Sequence, residues 1–170
     1  MRTATFHETA VIERPAATVW ALVSDYDVDP RWRKGVSAMN PQPPGPARTG
    51  TTTLEVLRFG GRTYRIPGEV TDLRAGHSFA WNASKARGTR SVEPLDESSC
   101  VVELTMHIRL TGAERMFGRL LARMMRHNLA GDLGRLAELA DSGPESFGDV
   151  GPQLSVGKRG GTLGGECRDR

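Results

Sequence analysis

The sequence predicts an α+β domain in which one antiparallel sheet is covered by a single long helix near the C-terminus. Three observations carry this. Between Thr49 and Leu110, segments of alternating apolar and polar residues are separated by hairpin-length turns, the pattern of antiparallel strands. The helical patterns are segregated: two short ones follow the first strand, and a long one, Thr111 to Asp141, follows the last. That stretch alone has the length to cover the sheet's apolar face.

Residues 3 to 13 read as a strand, with Phe6, Ala10 and Ile12 on one face and Glu8 between them. Pro15 suits a helix start, because its missing N–H would be unpaired there anyway. Val19, Trp20 and Val23 then share a buried face, and Asp25 and Asp27 belong to the following turn. Asp29 is placed to cap a second short helix, with Pro30 and Trp32 inside it and Gly35 at its end. Met39 to Arg48, with Pro41, Pro43, Pro44 and Pro46, is a loop or an irregular edge strand. Thr49 to Phe59 and Arg62 to Leu73 form a hairpin around Gly60-Gly61, with a bulge expected at Pro67-Gly68. Strands follow at His77 to Ala83 and at Thr89 to Leu95, with Ser84 to Gly88 as the turn between them. Ser99 to Leu110 alternates most strictly, Val102, Leu104, Met106 and Ile108 facing the core.

In the long helix Met116, Phe117, Leu120, Leu121, Met124 and Met125 recur at helical spacing, and Arg115, Arg119, Arg123 and Arg126 fall on the other side. After Asn128 the apolar set becomes Leu129, Leu133, Leu136 and Ala140, rotated from the first. Two jobs are expected: the second half packs on the body of the protein, and the methionine-rich first half covers something else. Methionine adapts to irregular space and to varied ligands, though it also serves as plain core filler. Gly131 and Gly134 mark a place where the helix can bend.

Residues 142 to 170 are rich in Gly and poor in large apolar side chains, the composition of a disordered tail. The boundaries expected are therefore a ligand-binding domain over 1–141 and a tail over 142–170. The 170 residues carry 38% hydrophobic and 25% charged side chains and a formal net charge of +3, too weak a positive charge to argue for nucleic acid. No apolar run is long enough to span a bilayer, and His7, Glu8 and Glu13 interrupt any secretory signal pattern. With two cysteines and no signal, a reduced cytoplasmic protein is expected.

The segment Arg14-Pro15-Ala16-Ala17-Thr18-Val19-Trp20, then Asp25, then Pro30-Arg31-Trp32, resembles the opening of the START/Bet v 1-like (SRPBCC) superfamily, nearest its polyketide cyclase/dehydrase and lipid-transport branch. Thr49-Gly50-Thr51 and Asn128-Leu129 extend the resemblance, which covers about residues 3 to 141. It implies a helix-grip fold: a curved seven-stranded antiparallel sheet wrapped on a C-terminal helix around an apolar cavity. It also implies a small hydrophobic ligand, lipid- or polyketide-like. A minority of the family catalyses cyclisation or dehydration, and fold alone does not decide between binder and enzyme.

Metal and nucleotide chemistry find no motif. None of the four histidines stands at His-x-x-x-His spacing, there is no Cys-x-x-Cys, and Gly60-Gly61 lies in a hairpin instead of a strand-to-helix loop. No metal and no cofactor is expected. The expected pocket is lined from the sheet by Tyr64, Ile66, Trp81, Met106 and Ile108, and from the helix by Met116, Leu120 and Met124. Trp32 stands at the cavity mouth by the family resemblance, where it either gates ligand entry or simply caps the core. For a cyclase, Tyr64 would donate a hydrogen bond to a substrate oxygen, and Glu8 or Glu55, each in phase with apolar neighbours, would move a proton. The alternatives are a tyrosine hydroxyl that reaches the surface and carboxylates at strand ends. The arginine stripe is either a solvated helix face or a contact for an anionic membrane surface, and the wide apolar helix face also fits self-association, leaving monomer or homodimer open. Nucleic acid fits poorly, because no aromatic residues are interleaved with the arginines.

Overall fold

The chain folds into a seven-stranded antiparallel sheet whose strands are β1 (Arg2–Ile12), β2 (Val36–Gln42), β3 (Thr52–Phe59), β4 (Arg62–Arg74), β5 (Ser78–Ala83), β6 (Ala86–Pro94) and β7 (Cys100–Leu110). This computed structural model describes residues 2–110, 112 and 118–143. Met116 and Phe117 of the expected helix and positions 144–170 of the expected tail lie outside the described residues, as do the side chains of Leu120 and Leu121. Between β1 and β2 come α1 (Ala16–Ser24), a 3-10 turn (Tyr26–Val28) and the short α2 (Asp29–Trp32); α3 (Gly118–Asp141) closes the fold.

The spatial order is β1-β7-β6-β5-β4-β3-β2, so the first strand pairs with the last and every other neighbour is joined by a hairpin connection. Seven curved strands around a C-terminal helix make the helix-grip architecture. The region expected to be a loop or an irregular edge from Met39 onward contains a true strand. Pro41 is tolerated in β2 because this is the sheet's edge, where a missing N–H breaks no second ladder. The bulge expected at Pro67-Gly68 lies elsewhere. Those residues pair regularly with Leu54 and Thr53, and the register shifts between Val70 and Asp72. The turn expected at Ser84 to Gly88 is shorter, since Ala86 to Gly88 already pair with Ile108 to Met106.

The core gathers where α1, α2 and the second half of α3 meet the sheet. Val19, Val23, Phe79, Val92, Val102 and Leu136 are fully enclosed there. In α3, Met125, Leu129, Leu133, Leu136 and Ala140 step by three or four residues along one continuous stripe. The change of job expected within this helix therefore happens along one face: Leu133 onward is core, and the earlier turns meet the open space described below. Gly131 and Gly134 interrupt nothing, and α3 runs through both. Its C-terminus is tied to the start of α1 by Arg14, whose Nε donates to Asp141 Oδ1 at 3.0 Å and whose Nη2 donates to the Asp141 carbonyl at 3.2 Å. No described helix is long and apolar enough to cross a membrane.

Candidate functional site

A cavity of about 290 Å³ lies between the sheet and α3. Its sheet side is apolar because alternate residues of each strand point the same way. Leu57 and Phe59 of β3, Ile66 of β4, Trp81 of β5, and Met106 and Ile108 of β7 form this wall. From α3 come Met125, Asn128, Leu129 and Asp132, on two successive turns of one face. Trp81 pairs across the ladder with Gly88. A Cβ at Gly88 would sit 2.8 Å from the Trp81 ring and 2.2 Å from the Thr105 carbonyl, so glycine lets the indole lie close against β6.

The end of the cavity under α2 is polar and charged. Asp29 is fully buried and Arg90 is 6% exposed. Arg90 donates from Nη1 and Nη2 to the two Asp29 oxygens, both at 2.7 Å, and from Nη1 to the Val23 carbonyl at 3.1 Å. Its guanidinium is also packed among three rings, 5.3 Å from Tyr26, 5.2 Å from Trp32 and 5.3 Å from Phe79. Arg33, one turn after Asp29, donates to Asp29 Oδ2 at 2.9 Å and to both oxygens of Glu55 at 3.2 Å. Two arginines and two carboxylates thus form an alternating chain, Arg90–Asp29–Arg33–Glu55, that joins α2, β3 and β6. Burial alone would lower the Arg33 pKa, but Glu55 and Asp29 outweigh it and hold the guanidinium charged. Burial raises the Tyr26 hydroxyl, against the opposing pull of Arg90.

A second polar group comes from α3. Asp132, 7% exposed, accepts the Lys34 backbone N–H at 2.8 Å on Oδ1, and the Arg135 guanidinium donates to the same oxygen. Arg135 also donates to the Trp32 carbonyl at 2.8 Å, so the pair fastens α3 to the end of α2. Burial raises the Asp132 pKa, although the Lys34 N–H, Arg33 and Arg135 each pull it down. Of the carboxylates around the cavity, Glu55 has both oxygens taken by one arginine, while Asp132 keeps Oδ2 free of any described hydrogen bond.

Of the residues expected in a pocket, Trp32, Glu55, Ile66, Trp81, Met106 and Ile108 stand in the cavity wall. Others do not. Tyr64 pairs with the wall residue Leu57 but is itself no part of the wall, and it is 42% exposed. Glu8 shares the face of Phe6 and Ile12 but is no part of the wall, because β1 lies under the part of α3 that packs directly on the sheet. Met124 is half-buried beside the cavity, and Met125, one residue round the helix, is the wall residue. Met116 lies outside the described residues, and so does the side chain of Leu120. Trp32, 1% exposed, belongs to the core as well as to the cavity lining, which fits the core-capping role of its two expected ones.

The sequence reading missed Arg90, Asp132 and the true use of Asp29. Asp29 begins α2 without capping it, since its carboxylate is spent on Arg90 and Arg33. The available signal was phase: Arg90 alternates with Val92, and Asp132 lies within the apolar stripe of α3 between Leu129 and Leu133. Among the described residues, no group of three or more His, Cys, Asp or Glu side chains is placed to hold a metal ion.

The family described as polyketide cyclase / dehydrase and lipid transport matches residues 3–141. No curated protein matches the chain. Solved structures do. A Thermus thermophilus protein superposes with a TM-score of 0.69 at 20% identity, over 82% of this chain and 98% of its own. The Zhui aromatase/cyclase of a Streptomyces species gives 0.68 at 14% identity, over 82% and 94%. Norcoclaurine synthase from Thalictrum flavum, in complex with dopamine and hydroxybenzaldehyde, gives 0.61 at 14% identity, over 83% and 88%. At these identities the likeness is one of fold.

Proposed function

The chain belongs to the polyketide cyclase/dehydrase and lipid-transport family, and from that premise we propose that it binds and carries one small, largely apolar molecule between the sheet and α3. The observation that carries this reading is the cavity itself. An open volume of about 290 Å³ is walled by Ile66, Trp81, Met106, Ile108 and Met125, near the lower end of the range typical of small-molecule sites. A well-packed core of this size leaves few voids larger than a water molecule. The cavity is also supported by the ion-pair chain Arg90–Asp29–Arg33–Glu55, which anchors its floor. Filling the space tests the reading. Met125→Trp should abolish the thermal stabilisation that a hydrophobic ligand gives the wild-type protein, with the fold intact by circular dichroism. Undiminished stabilisation in that variant refutes the placement.

A second reading, cyclisation or dehydration of a polyketide-like substrate, draws on the polar end of the same cavity. In that reading Tyr64 and Glu8 have no part, and Glu55 is held as an anion by Arg33. Asp132 becomes the group that moves a proton, since its carboxyl is buried, raised in pKa and only half engaged. A loss of turnover in Asp132→Asn far larger than its loss of ligand affinity is the expected signature, and full turnover by that variant rejects the assignment.

A further inference from the structure

The charges around the cavity are balanced before any ligand enters. Its wall carries three cations, Arg33, Lys34 and Arg90, and three carboxylates, Glu55, Glu69 and Asp132. The buried cations are already committed: Arg90 forks onto Asp29, and Arg33 bridges Asp29 and Glu55. Among the described residues a carboxylate ligand would therefore find no free buried cation and would add an uncompensated charge, which low-dielectric surroundings resist.

One acceptor remains open. Both described hydrogen bonds to Asp132 fall on Oδ1. Among the described residues Trp32 Nε1 is the one enclosed side-chain polar atom without a partner, so Asp132 Oδ2 is not sealed away. Asp132 lines the cavity. Leu129 and Met106 line the same cavity with apolar side chains.

We infer that Asp132 sets the ligand's chemical class: it accepts a hydrogen bond from a hydroxyl on an otherwise apolar, uncharged molecule, and the cavity rejects the corresponding carboxylate. This deepens the ligand-binding reading above and rests on it. A hydroxyl donating to a carboxylate is a charge-assisted bond, stronger than a neutral pair, and it leaves the balance of the wall unchanged.

The test is titration calorimetry of wild type and Asp132→Asn with 2-naphthol, 2-naphthoic acid and 2-methylnaphthalene near neutral pH, where the first is uncharged and the second ionised. Wild type should bind 2-naphthol at least about tenfold more tightly than 2-naphthoic acid. Asp132→Asn retains a carbonyl oxygen for the Lys34 N–H, and a melting temperature no lower than that of wild type verifies its fold. In that variant 2-naphthol should weaken by about tenfold and the gap between the two probes should close. Equal or tighter binding of 2-naphthoic acid by wild type overturns the inference while leaving the ligand-binding reading intact. So does an unchanged 2-naphthol affinity in Asp132→Asn. Failure of all three probes, methylnaphthalene included, removes the ligand-binding reading and this inference together.

Discussion

Arg90 and Asp29, 61 residues apart in sequence, meet in a two-pronged ion pair with both bonds at 2.7 Å, and neither side chain is more than 7% exposed. Such a pair is costly to assemble and more costly to break, because removing one member strands the other in a dry interior. Arg90→Met should therefore cost about 3–5 kcal/mol in urea unfolding. Asp29→Asn should cost a similar amount, since it leaves the buried Arg90 without an anionic partner. The double variant should cost clearly less than the two single losses added together. A loss below about 1 kcal/mol for Arg90→Met, the range of an exposed pair, contradicts this account of the cavity floor.

Asp132 gives a pH dependence of defined sign. Its pKa is raised in the folded protein, burial being the largest cause. A carboxyl of that kind contributes stability that is fully present below its unfolded pKa, about 3.9, and is lost as pH rises through the folded value. Above about pH 4 the stability of wild type relative to Asp132→Asn should therefore decline. At neutral pH the variant should be at least as stable as wild type. Chemical unfolding of both proteins across this range measures the difference, and a wild-type advantage that grows with pH refutes it.

Two glycines should answer to alanine in opposite ways. At Gly88 the added Cβ would lie 2.2 Å from the Thr105 carbonyl, so β6 must shift and Trp81 must move. A loss of about 1–3 kcal/mol is expected, as for an overpacked core. Gly134 is exposed, helical and has open space around a new Cβ, so alanine should stabilise by up to about 1 kcal/mol. Thermal melts of the two variants check both signs.

Tyr64 and Met125 differ in their relation to the cavity: Met125 is in its wall and Tyr64 is not. Tyr64→Phe should leave ligand affinity unchanged, because the side chain is largely exposed and outside the wall. Met106→Trp should remove binding, as Met125→Trp does. Any affinity loss in Tyr64→Phe, measured by the same thermal shift, would bring Tyr64 into contact with the ligand and contradict this account of the wall.

The fold was largely legible in the sequence because alternation is a local signal. Leu104, Met106 and Ile108 announce their face two residues at a time, and Gly60-Gly61 announces its turn. β2 was harder to read: Pro41 and Pro43 argue against a strand unless the strand is known to be an edge. The apolar wall followed from phase, so Ile66, Trp81, Met106 and Ile108 were placed on it. The polar end did not follow. Asp29 before Pro30 has the local chemistry of a helix cap, and nothing nearby in sequence says that its partner is Arg90 on a strand across the core. Helical phase places Met124 and Met125 100° apart, and only the packed position of α3 chooses Met125. Long-range pairing and helix rotation are set by the whole fold, and a window of neighbours does not contain them.

The most direct test of a ligand-filled cavity is native mass spectrometry of the gently purified protein, wild type beside Met125→Trp. A bound small molecule of apolar character on the wild-type protein, absent from the variant, is the predicted result. Equal occupancy of both proteins, or a wild-type protein that stays empty after incubation with a broad mixture of small hydrophobic compounds, contradicts it.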